Sequence, residues 1–190
     1  MTRRTSTAAT LACAITLLSA GVGVTPATAQ ALLTQDEALA LAFPEASGFE
    51  RRTAFLTAEQ ARRVEERTGS EPDGMIVTYY LAMQEETPIG VAYFDVHRVR
   101  TLNEVLMVAL GSDDRIVRVE VVAFSEPPDY KSPEGWLALF MGRGWEDDLS
   151  MKGDVPNMTG ATLTTRAAKG AVGRVLALHH VIDPMGKGGR

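Results

Sequence analysis

The chain has 190 residues, 45% of them hydrophobic, with 19 basic against 24 acidic residues and a formal net charge of −5. That length suffices for one domain with a sizeable apolar core, and the acidic balance argues against nucleic acid or anionic lipid as partners. The single cysteine, Cys13, lies in an N-terminal apolar run, so the rest of the chain has no thiol for a disulfide, a cysteine-ligated iron–sulfur cluster or a thioether-attached haem.

Residues 1–29 read as a secretory signal peptide. Arg3 and Arg4 supply the positive start, Ala8 to Val24 the apolar run, and Ala27 and Ala29 the small residues of an A-x-A cleavage site before Gln30. The run is short for a membrane span, so cleavage is preferred to an uncleaved signal acting as an anchor. Cleavage leaves 161 of the 190 residues and, with Arg3 and Arg4 gone, a charge of −7 instead of −5. The expected location is periplasmic or otherwise extracytoplasmic.

Residues 30–74 predict a helical lead-in. Thr34 and Glu37 have capping-box spacing ahead of a short helix that Pro44 ends, and Thr57 with Gln60 opens a second that runs through Arg67 to a stop near Gly69. Its mixed charges Arg62, Arg63, Glu65 and Glu66 read as a solvated face. The strands follow. Met75 to Met83, Ile89 to Val96, Glu104 to Leu110 and Ile116 to Phe124 are rich in β-branched and aromatic residues, with turn chemistry at Glu85–Pro88 and Gly111–Asp114. Four consecutive strands on short polar turns imply an antiparallel sheet. Pro133 to Phe140 predicts a helix opened by proline, and a long loop starts at Gly142. In that loop Trp145 has two readings, a stacking platform for a flat ring or satellite core. Asp147, Asp148 and Asp154 lack ligand spacing and read as a solvated acidic loop.

The closing helix, Thr165 to about His180, places Ala168, Ala171, Val172, Val175, Leu176 and Leu178 largely on one side, to pack on the sheet. His179 and His180 sit at its end, where a cation suits the helix dipole. Neighbours on a helix diverge and His97 is distant in sequence, so no metal site is predicted. The tail 183–190 reads as flexible. The fold class is α+β, an antiparallel sheet packed against a C-terminal helix with short N-terminal helices, and the domain runs over 75–182.

The most informative stretch is Thr159-Gly160-Ala161-Thr162-Leu163-Thr164-Thr165, just ahead of that helix. Backbone N–H groups and the helix dipole at such a start favour an anion, and Gly160 and Ala161 let one come close. The simpler reading is a hydroxyl N-cap at Thr159 or Thr164.

T-G-A-T-L-T resembles the flavinylation signature [ST]-G-A-[ST] of the FMN-binding domain family. That family includes flavin-carrying components of the sodium-translocating NADH:quinone reductase and of the related Rnf complex. The resemblance covers roughly Met75 to Val181. It implies FMN joined to Thr162 by a phosphoester, with Thr159, Gly160, Ala161, Thr164 and Thr165 around the phosphate. It also implies a flavin contact from Glu126 in Ser125-Glu126-Pro127-Pro128-Asp129-Tyr130. Pro127 stands where the family has Thr, and Pro156 where it often has Asp. The protein implied is an exported electron-transfer flavoprotein, not a substrate-converting enzyme, with a flavin transferase for maturation and a membrane redox partner. The alternative is an exported, flavin-free binding module of the same fold. A hydrolase has no support: there is no G-x-S-x-G elbow, cysteine nucleophile or His/Asp constellation.

Overall fold

The computed structural model describes residues 30–149, 155 and 162–188, so residues 1–29 with Cys13, and Asp154 and Thr159 to Ala161, lie outside the described residues. The elements are β1 (Gln30–Ala31), α1 (Gln35–Ala42), β2 (Gly48–Phe55), α2 (Ala58–Thr68), β3 (Ile76–Gln84), β4 (Thr87–Arg98), β5 (Asn103–Gly111), β6 (Ile116–Phe124), α3 (Glu134–Leu137) and α4 (Thr162–Ile182). Short 3₁₀ turns occupy Pro128–Tyr130 and Ala138–Phe140.

Both N-terminal helices start as their sequences dictate. Thr34 Oγ1 accepts from the Glu37 amide at 3.3 Å while Glu37 Oε2 accepts from the Thr34 amide at 2.7 Å. Thr57 and Gln60 repeat the pair at 3.2 and 2.9 Å. Each box satisfies donors that a helix start otherwise leaves unpaired. Gly69 ends α2 with φ 75°, its amide bonded to Glu65 O, a left-handed cap that glycine adopts at little cost.

The sheet is six-stranded, antiparallel, in the order β1-β6-β5-β4-β3-β2. The four expected strands are present. The lead-in, expected to be helical, also contains the edge strand β2. Its Glu50, Arg51 and Arg52 face solvent, and charged side chains suit an edge strand. α3 is a single turn continued as a 3₁₀ turn, shorter than the eight-residue helix expected at Pro133 to Phe140. The tail, expected to be flexible, folds back as far as Gly188. Lys187 Nζ bonds Ser112 O and, at 2.6 Å, Asp114 Oδ1.

The two faces of the sheet bury different things. On one, Leu81, Val91, Tyr93, Leu106, Val108 and Val121 meet Ala168, Ala171, Val172 and Val175 of α4 and Phe140. On the other, Ala82, Ala92, Met107, Ala109 and Val122 meet Ala38 and Leu39 of α1 and Phe43 at its C-cap. β4 and β5 are thus covered on both sides, which explains their near-continuous apolar sequences. β6 alternates poorly because register shifts at Val105/Leu106 and Ala109/Leu110 displace its side chains relative to β5. Gly90 is required by close approach. A Cβ there would lie 2.6 Å from Phe43 Cζ and 2.7 Å from Leu110 O.

Candidate flavin site

Three segments meet at the start of α4: the β4–β5 connection, the loop after β6, and the first turn of the helix. Glu126, buried at the end of β6, draws the connection in. Its Oε1 accepts from the amides of Arg100 (3.3 Å), Thr101 (2.6 Å) and Leu102 (2.8 Å) and from Thr101 Oγ1 (3.2 Å). The Thr101 and Leu102 amides hold its carboxyl below the usual glutamate range. The structure therefore gives Glu126 the work of closing a turn. Above it the Arg100 guanidinium lies 4.6 Å from the Tyr130 ring centroid, a cation–π contact. The Tyr130 carbonyl in turn accepts from Thr164 Oγ1 at 2.6 Å.

The described threonines of α4's first turn are sorted by that anchor. Thr164 and Thr165 are 1% and 0% exposed, with Thr165 Oγ1 donating to Thr162 O at 3.2 Å. Thr162 is exposed. The Thr164 and Thr165 hydroxyls, expected to hydrogen-bond a phosphate, here donate to the backbone carbonyls of Tyr130 and Thr162. Each hydroxyl has one proton, both protons are committed to carbonyls, and a phosphate diester can only accept. Their role is to fix the helix start. Thr159, Gly160 and Ala161, expected to line the phosphate, lie outside the described residues. The first turn carries no acid, so nothing there opposes an anion at the helix amides. In the adjoining loop the Ser132 hydroxyl, 2% exposed, has no hydrogen-bond partner among the described residues. An exposed hydroxyl, an acid-free helix start and a spare buried donor fit a phosphate-bearing group.

A groove of about 450 Å³ runs along α4 from one turn beyond Thr162, lined by Arg166, Lys169, Gly170, Gly173 and Leu176, with Arg67, Thr68, Trp145, Asp147, Asp148 and Leu149 opposite. Lys169 is 6% exposed, and burial lowers its ammonium pKa against the pull of Asp148. Trp145 resolves differently from either sequence reading. Its ring stacks on His180 (centroids 4.2 Å, planes 3° apart) and carries the Arg67 guanidinium at 4.9 Å. Its π surface is occupied by its own chain.

Sequence reasoning missed a polar seam beneath α4. Tyr93, Asp95 and His97 alternate along β4 on the face toward the helix. His97 bonds Asp95 Oδ1 through Nδ1 (2.9 Å) and Glu104 Oε2 through Nε2 (3.0 Å). Arg174 of α4 donates to both oxygens of Asp95, at 3.1 and 2.7 Å. Burial opposes charge on His97, yet the two carboxylates outweigh it and raise its pKa to about 9. Glu104, fully buried, keeps Oε1 without a partner among the described residues. The signal that would have found the seam is D-x-H on a strand with a Glu seven residues past the His, directly opposite across the hairpin.

At the other end of α4, His179 has the opposite character. It lies between Tyr93 Oη (3.2 Å from Nδ1) and Asp114 Oδ1 (3.1 Å from Nε2). Burial depresses its pKa, with Asp114 only partly offsetting this. His179 is therefore held neutral and does not serve as the cation expected for the dipole. A cavity of about 160 Å³ there adjoins Asp114, His179, His180 and Lys187. His97 and His179 belong to separate networks.

A comparison with curated proteins found no match. The FMN-binding domain family matches residues 103–177, from the start of β5 through Ala177 of α4, which takes in Glu126, Tyr130 and all three threonines of the helix start. Over these residues the chain is similar to an FMN-binding domain, and the cofactor that this match indicates is FMN.

Proposed function

We propose that the protein is an exported electron carrier in which FMN is joined covalently to Thr162 by a phosphoester. The observation that supports this most is the division of the helix-start hydroxyls. Thr164 and Thr165 are sealed inside, while Thr162 is exposed where a modifying enzyme can reach it. The bond formed is Thr162 Oγ1 to phosphorus. The hydroxyl proton leaves, and the bond broken is that between the flavin phosphate and the leaving group of an activated flavin nucleotide, so the net gain is FMN less one water. FMN supplies the redox chemistry.

The chain's own residues hold the attachment point still. Thr164 ties the helix start to Tyr130, Arg100 covers the Tyr130 ring, and Glu126 fixes the turn that carries Arg100. Covalent attachment suits an exported protein, because outside the cytoplasm a dissociated flavin is lost. A flavin transferase and a membrane redox partner complete the reading.

The test is the intact mass of the exported chain made with and without a flavin transferase, beside a Thr162→Ala variant. The expected result is a gain of one FMN less one water, dependent on the transferase and absent from the variant. An unmodified mass with transferase present removes the covalent reading, and FMN released on denaturation then marks a non-covalent carrier.

A further inference from the structure

We propose that the outer edge of β6 is a docking groove for an extended, apolar peptide segment of a partner protein, which adds a short strand to the sheet. β6 is paired along that edge only at its two ends. At one end β1 pairs with Ala123 and Phe124, and the amides of Leu32 and Leu33 donate to Val122 O at 2.9 and 3.2 Å. At the other, the Gly142 amide donates to Ile116 O at 2.7 Å and the Ile116 amide to Arg143 O at 2.8 Å. Val122 and Val117 are the extra residues of the two register shifts against β5, so a bulge closes off each end. Between the bulges, over 118–121, every second residue turns its N–H and C=O away from β5. Among the described residues no backbone group pairs with them.

This open stretch lies in a groove of about 410 Å³ whose walls come from both layers. Leu33 and Leu41 stand on the face that α1 covers, and Leu137 and Met141 on the other, beside α3. Leu41 and Met141 are 45% and 56% exposed, so apolar surface is available on each side. Successive side chains of a strand point to opposite faces. A peptide paired to β6 therefore sets its side chains alternately against Leu33 and Leu41 and against Leu137 and Met141. Its main chain supplies affinity through the edge groups, and the two walls select apolar residues at both parities. An acyl chain would cover the same walls and leave the edge N–H and C=O groups unpaired. A second copy fits less well, because its own β6 edge is flanked by the same walls and two folded copies meet wall to wall. Charge adds one feature. Arg118 and Glu120 pair with each other at 3.0 Å, whereas Lys131, which also lines the groove, forms no ion pair among the described residues. An acidic residue at one end of the peptide would meet it.

The probe is a short, acetylated and amidated peptide of alternating valine and leucine ended by glutamate, with a fluorescent label on a polar linker. Its binding to the full-length protein is measured by fluorescence anisotropy, and amide exchange followed by NMR reports which residues it protects. The expected result is saturable binding, with exchange slowed at alternate residues of 118–121. Met141→Asp changes an exposed side chain outside the core and should weaken binding about tenfold or more. Lys131→Glu should weaken the glutamate-ended probe and strengthen a lysine-ended one, each by roughly two- to fivefold. A purely structural lysine would not produce that exchange of preference.

Failure of the glutamate-ended probe to bind up to its solubility limit overturns the proposal, as does binding undiminished in Met141→Asp. Equal binding by a probe with a central proline, which cannot complete the strand pairing, also overturns it and marks adherence to apolar surface in general. Dimers that protect 118–121 without any probe assign the edge to a second copy instead. None of these outcomes bears on attachment at Thr162, which is read by mass.

Discussion

The two ends of α4 are finished in opposite ways. At the N-terminal end no charged side chain is buried in the first turn. Two hydroxyls are turned inward onto carbonyls and one residue, Thr162, faces out. At the C-terminal end a neutral imidazole is buried against Tyr93 and Asp114, and Lys187 brings the tail back over the same carboxylate. Between them Arg174 fastens the helix to Asp95. The contrast separates two duties of one helix. One end is anchored through backbone carbonyls and has no acidic residue in its first turn. The other is closed by side chains and offers little besides stability.

The largest effect should come from breaking the seam between the ends. His97→Ala leaves the buried Glu104 and Asp95 carboxylates without their shared cation, and should cost about 3–5 kcal/mol in urea unfolding. pH should separate the seam from the C-terminal end, because their histidines are shifted in opposite directions. With its pKa raised from 6.5 to about 9, His97 contributes stability that is complete below pH 6.5 and lost as pH rises through about 9. That contribution is at most about 3 kcal/mol. His179, shifted below 6.5, contributes stability that is complete above pH 6.5 and lost as pH falls toward its folded value. Stability should peak near neutrality, and His97→Ala should remove the alkaline slope while leaving the acid one.

At the N-terminal end, Thr164→Val deletes the bond to Tyr130 O inside a buried site and should cost about 1–2 kcal/mol by the same measurement. It should also lower the yield of flavin attachment without abolishing it. Thr162→Ala should abolish attachment and leave stability unchanged. The smallest effect should be at the tail. Lys187→Met breaks an ion pair that is about one-third exposed on each side and should change stability by less than about 1 kcal/mol.

What the sequence made legible was local or periodic. The capping boxes at Thr34 and Thr57 need only four residues each, and the apolar strands and the buried side of α4 follow from their spacing. β2 was hidden because its charged middle gives no apolar alternation, and only its register with β3 makes it a strand. The last residue of T-G-A-T, Thr162, is the first residue of α4. Which of its hydroxyls turn inward depends on a carbonyl 34 residues away, at Tyr130, and no local pattern carries that. The seam was invisible for the same reason, since Asp95, His97 and Glu104 meet across a hairpin and Arg174 arrives from another element.

The strand order has a consequence for the timing of maturation. From β2 to β6 every strand pairs with its neighbour in sequence, so the sheet can assemble from short-range closures. The Tyr130 anchor forms only when α4, the last element, docks on that finished sheet. Before docking, Thr162 is one hydroxyl among many on an extended chain. On the attachment proposed above, a modifying enzyme would meet a substrate defined by tertiary structure, and folding would precede colour.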